Sequence, residues 1–177
     1  KYEATTDKET VINMTNHSYF NLSGNPSQPG TNMVLYINAD NFTPTDSTYM
    51  TTGEIKPVYG TPMDFNKDHA LYQSIADTTF AQIKNAGGYD HNWCLNTYKN
   101  GKGDDNKVAA SLYSPESGIL LQVYTNEPGI QVYTGNFLGS NVKGKKGIVY
   151  PRQAAVCLET QKYPDSPNKK NWPSPYL

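Results

Sequence analysis

The chain has 177 residues, with 15 basic and 16 acidic side chains and a formal net charge of -1. That length suffices for one domain with a real core. The charge balance lacks the concentrated positive surface that nucleic acid or an anionic membrane demands, and no apolar run approaches the roughly 20 residues that span a bilayer.

Fourteen tyrosines, fourteen glycines and twelve prolines favour strands joined by turns. The opening residues Lys1-Tyr2-Glu3-Ala4 have no apolar signal-peptide region behind them. Residues Lys8 to Met14 read as a strand leading into Thr15-Asn16-His17-Ser18-Tyr19-Phe20-Asn21-Leu22. A Gly/Pro-rich loop follows over 24–30. Met33 to Asp40 is a short strand whose near-continuous apolar run implies cover on both sides. Phe42 to Asp46 reads as a turn, and Ala70 to Ile75 is the one good helix candidate. His69 stands at its polar start. Further on, Trp93 to Tyr98 and Val108 to Tyr113 are strands separated by a polar connection with Asn-Gly turn signals. Ser114 to Gly118 is a tight turn. Ile119 to Thr125, Gly129 to Thr134 and Ala154 to Gln161 complete the strands. Many short strands with Gly/Pro turns predict an all-β sandwich or barrel rather than βαβ units.

The two cysteines, Cys94 and Cys157, each lie in an apolar run and read as buried free thiols. Sequons occur at Asn16, Asn21 and Asn41. Two of them sit on the His17 segment, where a glycan would obstruct a pocket. This points to a cytoplasmic protein and leaves a bacterial periplasm or secretion open.

Three histidines occur, at positions 17, 69 and 91. An imidazole titrates near neutral pH and serves as a general acid or base. His17 stands out by its setting. Asn16, Ser18 and Asn21 offer hydrogen bonds that hold a tautomer or reach a polar ligand, while Tyr19 and Phe20 shape a pocket. Gly87-Gly88-Tyr89-Asp90-His91-Asn92 is either a turn with an Asx cap or a polyol site in which Asp90 accepts hydroxyl hydrogens. As strand neighbours, Asp90 and His91 face opposite ways, so at most one meets a given ligand. Glu159 follows the apolar run Val156-Cys157-Leu158. It is either solvent-facing or partly buried, and burial would raise its pKa into a useful range for a base. Gln131 and Tyr133 share a strand face, to present an amide and a phenol to one ligand or simply to pack across strands. The basic loop from Lys143 to Gly147 reads as solvated. The chain has no CxxC pair, HExxH, P-loop, GxSxG or dinucleotide fingerprint, and its histidines are too dispersed to assert a metal.

At four blocks the sequence resembles the aldose 1-epimerase (galactose mutarotase) family. They are the Thr15–Leu22 segment, Gly88-Tyr89-Asp90-His91-Asn92, the run from Thr125 to Asn136, and Leu158-Glu159-Thr160-Gln161 continuing into Pro164 to Asn168. The resemblance implies a large antiparallel β-sandwich, here an incomplete portion of it, that interconverts the α and β anomers of free aldoses without metal or cofactor. It implies His17 as general acid, Glu159 as general base, and Asp90 and Gln131 as sugar-binding residues, with Asn16 and Tyr133 beside them. Family members run to well over 300 residues, and a first half with another histidine and an arginine has no counterpart here. A companion chain or segment carrying that half is therefore expected, with 1–177 as part of one sandwich domain lacking also the last strand or two. The competing readings are a non-catalytic carbohydrate-binding module and a related sugar-phosphate epimerase. The latter wants a basic cluster, and Arg152 is the only arginine.

Overall fold

The computed structural model describes residues 2–139 and 143–177. Its strands, in chain order, are β1 (Tyr19–Phe20), β2 (Val34–Ile37), β3 (Asn41–Thr43), β4 (Lys56–Pro57), β5 (His69–Ala70), β6 (Asp90–Cys94), β7 (Tyr98–Lys99), β8 (Lys102–Gly103), β9 (Ala110–Tyr113), β10 (Leu120–Val123), β11 (Gly129–Tyr133) and β12 (Val156–Gln161). A six-stranded sheet runs β1-β12-β11-β6-β3-β4, and a four-stranded sheet runs β10-β9-β2-β5. Every strand pairing is antiparallel. The two sheets share one apolar core, so the all-β sandwich expected from the sequence is what forms.

Alternation builds that core. Leu35 and Ile37 of β2 are matched in register with Leu112 and Ala110 of β9, and all four are fully buried. The other sheet contributes Phe42, Trp93, Ile130, Val132, Val156 and Leu158 to the same cluster. Residues next to each of these point to the sheet's opposite face, which carries the polar groups described below. Trp93 Nε1 donates to the Met63 carbonyl at 2.9 Å, so the indole is buried without an orphaned donor.

Several local expectations need correction. Residues 8–14 do not form a strand: only Val11 makes a β-bridge, to Tyr176, with Thr10 and Leu177 exchanging backbone hydrogen bonds. Met33–Asp40 is not covered on both sides, because Val34 and Tyr36 are only half-buried while Leu35 and Ile37 are buried. The proposed turn at Phe42–Asp46 begins inside β3, which pairs with both β4 and β6. The helix expected over Ala70–Ile75 is a 3-10 turn at Leu71–Gln73, and His69 stacks on Phe65 with ring centroids 4.3 Å apart. The α-helix α1 lies instead at Ala81–Ala86, buries Ile83 and Ala86, and stops at the left-handed Gly87. Its six residues are too few for a helical period to show in sequence.

The Asn100-Gly101 pair does turn the chain, with φ of 53° and 78°. These are the two positive values of a type I′ hairpin. It joins β7 to β8 rather than the two longer strands flanking it; β6 already ends at Cys94. The Ser114–Gly118 turn joins β9 to β10, closed by the Gly118 amide donating to the Ser114 carbonyl at 2.9 Å. Both thiols are free and buried, Cys94 against Tyr163 and Trp172. No helix among the described residues is long and apolar enough to cross a membrane.

Candidate functional site

The site lies on the outer face of the six-stranded sheet, where β12, β11 and β6 set their polar side chains in rows. Tyr133 of β11 stands between Cys157 and Asp90. Gln131 stands between Glu159 and Asn92, and Gly129 between Gln161 and Cys94. The smallness of Gly129 is required: a Cβ there would collide with Asn92 Oδ1 and stand 2.9 Å from the Tyr163 ring.

His17 reaches this face from the sheet's edge. Strand β1 pairs Tyr19 with Cys157. His17 lies two residues before Tyr19, ahead of β1, and Glu159 two residues beyond Cys157 on β12, so the chain continuing from that pair brings the two side chains together. The imidazole Nε2 is 3.4 Å from Glu159 Oε1, with the histidine side chain 50% exposed and the glutamate 10%. Asn16 closes an Asx turn by accepting the Ser18 amide at 3.0 Å, which holds the backbone just ahead of β1. The rings of Tyr19 and Tyr133 frame the imidazole at 5.2 Å and 6.3 Å between centroids. The Tyr133 hydroxyl accepts the Phe137 amide at 3.1 Å.

A polar ladder crosses the floor beside this pair. Gln131 Nε2 donates to Asp90 Oδ1 at 2.8 Å. Gln161 Nε2 donates to Gln131 Oε1 at 3.0 Å and to Asn92 Oδ1 at 3.2 Å, and Asn92 Nδ2 donates to Thr43 Oγ1 at 3.3 Å. Gln131 is thereby fixed in orientation, amide toward Asp90 and carbonyl toward Gln161. Asn92, Gln161 and Thr43 escaped the sequence reading of the site. Alternation from Asp90 and from Glu159 would have found the first two, whereas Thr43 needed the β3–β6 pairing.

The Asp90 backbone is anchored from below. Buried Asn136 donates to the Ala86 and Tyr89 carbonyls at 3.1 and 2.9 Å and accepts from Thr134 Oγ1 at 2.8 Å. Arg152 donates to the Asn136 carbonyl at 3.1 Å and also to that of Gly87. His91 faces the core, edge-on to Trp93, as its opposition to Asp90 requires.

Burial is the main influence on both carboxyls. It raises Glu159 above the usual range, opposed by nearby His17 and reinforced by the negative Asp90. It raises Asp90 likewise, against the Gln131 hydrogen bond and His17. Burial pushes the Cys157 thiol up to about 12. The arrangement thus joins a buried, destabilised carboxylate to a half-exposed imidazole, with an oriented carboxylate–amide pair alongside. Such a face can exchange protons with a polyhydroxylated ligand and hold its hydroxyls.

The family model described as aldose 1-epimerase matches residues 1–177. Human galactose mutarotase is 42% identical over 173 residues, covering 97% of this chain and 47% of the relative. The aldose 1-epimerase of Escherichia coli is 39% identical over 175 residues, 98% of this chain and 48% of the relative. Among solved structures, an aldose epimerase homologue from C. elegans superposes with a TM-score of 0.81 at 29% identity, covering 98% of this chain and 49% of that one. A galactose 1-epimerase from Lactobacillus acidophilus gives 0.69 at 31% identity, covering 90% and 42%. The chain spans about half the length of the curated relatives it matches.

Proposed function

The chain belongs to the aldose 1-epimerase family, and from that premise we propose that it serves the interconversion of the α and β anomers of free aldohexoses such as galactose and glucose. The observation that carries this reading is the approach of His17 Nε2 to Glu159 Oε1 at 3.4 Å, on a face that also presents Asp90. The anomeric hydroxyl and the ring oxygen of a hexose sit on one carbon, so neighbouring proton-transfer groups can serve both.

Glu159 takes the proton of the anomeric hydroxyl. Protonated His17 gives its proton to the ring oxygen as the C1–O5 bond breaks. Rotation about C1–C2 turns the other aldehyde face to O5. On closure O5 returns its proton to His17, and Glu159 returns its proton to the former carbonyl oxygen. The protonation states are restored. Glu159 suits the base role because burial has raised its proton affinity. Asp90, oriented by Gln131, accepts hydrogens from hydroxyls remote from C1. Tyr133 covers the ring beside His17, and Asn16 offers a further polar contact from the sheet edge.

In this reading the remainder of a relative's length supplies the other wall of the pocket, as a companion chain or segment that completes the sandwich. Ile119, Leu120 and Tyr124 are exposed on and beside edge strand β10, an apolar edge that such a segment would cover. A sugar-phosphate substrate wants a basic cluster, and Arg152, the only arginine, already donates to the Gly87 and Asn136 carbonyls.

The test is polarimetry on freshly dissolved α-D-galactose with the whole protein. Rotation should relax faster than in buffer, and His17→Asn should remove most of the acceleration. A rate indistinguishable from buffer would defeat the assignment.

A further inference from the structure

The site contains a group that proton transfer does not use. Cys157 and Glu159 are two apart on β12, hence on one face of the strand, and His17 stands over both. One ligand atom from each of the three, imidazole nitrogen, thiol sulfur and carboxylate oxygen, lie within 4.8 Å of one another. Zinc binds nitrogen and oxygen at about 2.0–2.1 Å and sulfur at about 2.3 Å, which makes the N–O edge of its tetrahedron about 3.4 Å. His17 Nε2 and Glu159 Oε1 already have that separation, 3.4 Å. The N–S and O–S edges of that tetrahedron are about 3.5 Å, so the sulfur needs an approach of at most about 1.3 Å, part of which the half-exposed His17 can supply. The charge also fits: a divalent cation would neutralise Glu159 and offset its repulsion by Asp90.

We propose that His17, Cys157 and Glu159 form a three-ligand site for a thiophilic divalent ion, Zn2+ foremost, whose occupancy excludes the sugar from the acid–base pair. Three protein ligands leave the fourth tetrahedral position to water. The thiol must lose its proton on binding, so affinity rises with pH. Ion binding stands on the geometry alone. Its inhibitory consequence rests on the epimerase reading.

The experiment titrates Co2+ into the metal-free whole protein and reads the near-ultraviolet thiolate-to-cobalt charge-transfer band. One equivalent should raise the band, and Zn2+ should abolish it. Cys157→Ser should lose the band, and His17→Asn should weaken Co2+ binding by at least about tenfold. No band, or one that persists in Cys157→Ser, would overturn the proposal, as would His17→Asn binding Co2+ as tightly as wild type. In parallel, mutarotation with and without EDTA separates the two readings. Catalysis without a cobalt band defeats the metal site and leaves the epimerase assignment standing. A cobalt band without catalysis under EDTA does the reverse.

Discussion

Replacing Glu159 by glutamine keeps the shape of the side chain and removes its ability to take a proton. Loss of a positioned general base costs about 10²–10⁴ in rate, or roughly 3–5 kcal/mol at about 1.4 kcal/mol per decade. The same substitution should not destabilise the fold. Burial raises the carboxyl's pKa in the folded state, so the fold disfavours the ionised form. The stability associated with the neutral carboxyl is complete below its unfolded value, near pH 4, and is lost as pH rises through the raised folded value. At pH 7 the wild-type protein carries a cost of ionising Glu159 that Glu159→Gln does not. The opposing loss, attraction to the half-exposed His17, is at most about 1 kcal/mol after solvent screening. Polarimetry and urea denaturation on the same preparation should therefore show a nearly inactive protein at least as stable as wild type at pH 7, the difference fading towards pH 4. Activity within about threefold of wild type, or a loss of stability at pH 7, would refute the reasoning.

Other substitutions probe the surroundings. Gln131→Leu removes the bond that orients Asp90 and holds its pKa down; hydrogen bonds to charged groups are worth about 1.5–3 kcal/mol, so KM should rise by tenfold or more with a smaller change in kcat, read by steady-state mutarotation. Gly129→Ala should cost about 1–3 kcal/mol in urea denaturation through overpacking against Asn92 and Tyr163, and should slow catalysis by disturbing the Gln161–Asn92 contact. Burial pushes His91 down to about 4, against about 6.5 unfolded. The stability due to its neutral form is intact above about pH 6.5 and falls as pH drops through 4, by about 3 kcal/mol. His91→Leu should flatten that part of the pH–stability profile, and parallel profiles for the two proteins would contradict the assignment.

What the sequence determined by itself was the side of the strand on which each residue lies. Period-two alternation separated Asp90 from His91 and grouped Gln131 with Tyr133. Those assignments survive because they need only the local backbone. The Asn100-Gly101 turn was legible for the same reason, its positive φ values being a property of two residues. The strands it joins were not, because turn chemistry does not say which flanking residues will pair. Helix α1 was hidden by its brevity, and the Lys8–Met14 run, strand-like in pattern, found a partner only at Val11.

Tertiary structure decided the rest by register. The meeting of His17 with Glu159 follows from Tyr19 pairing with Cys157, a choice between segments far apart in the chain. The ladder from Thr43 through Asn92, Gln161 and Gln131 to Asp90 draws on four strands and exists only when β3, β6, β11 and β12 are aligned. Burial of Glu159, which raises its proton affinity, is likewise a product of neighbouring strands. Alternation says which way a side chain points; what it points at depends on long-range pairing, and the proton chemistry depends on that.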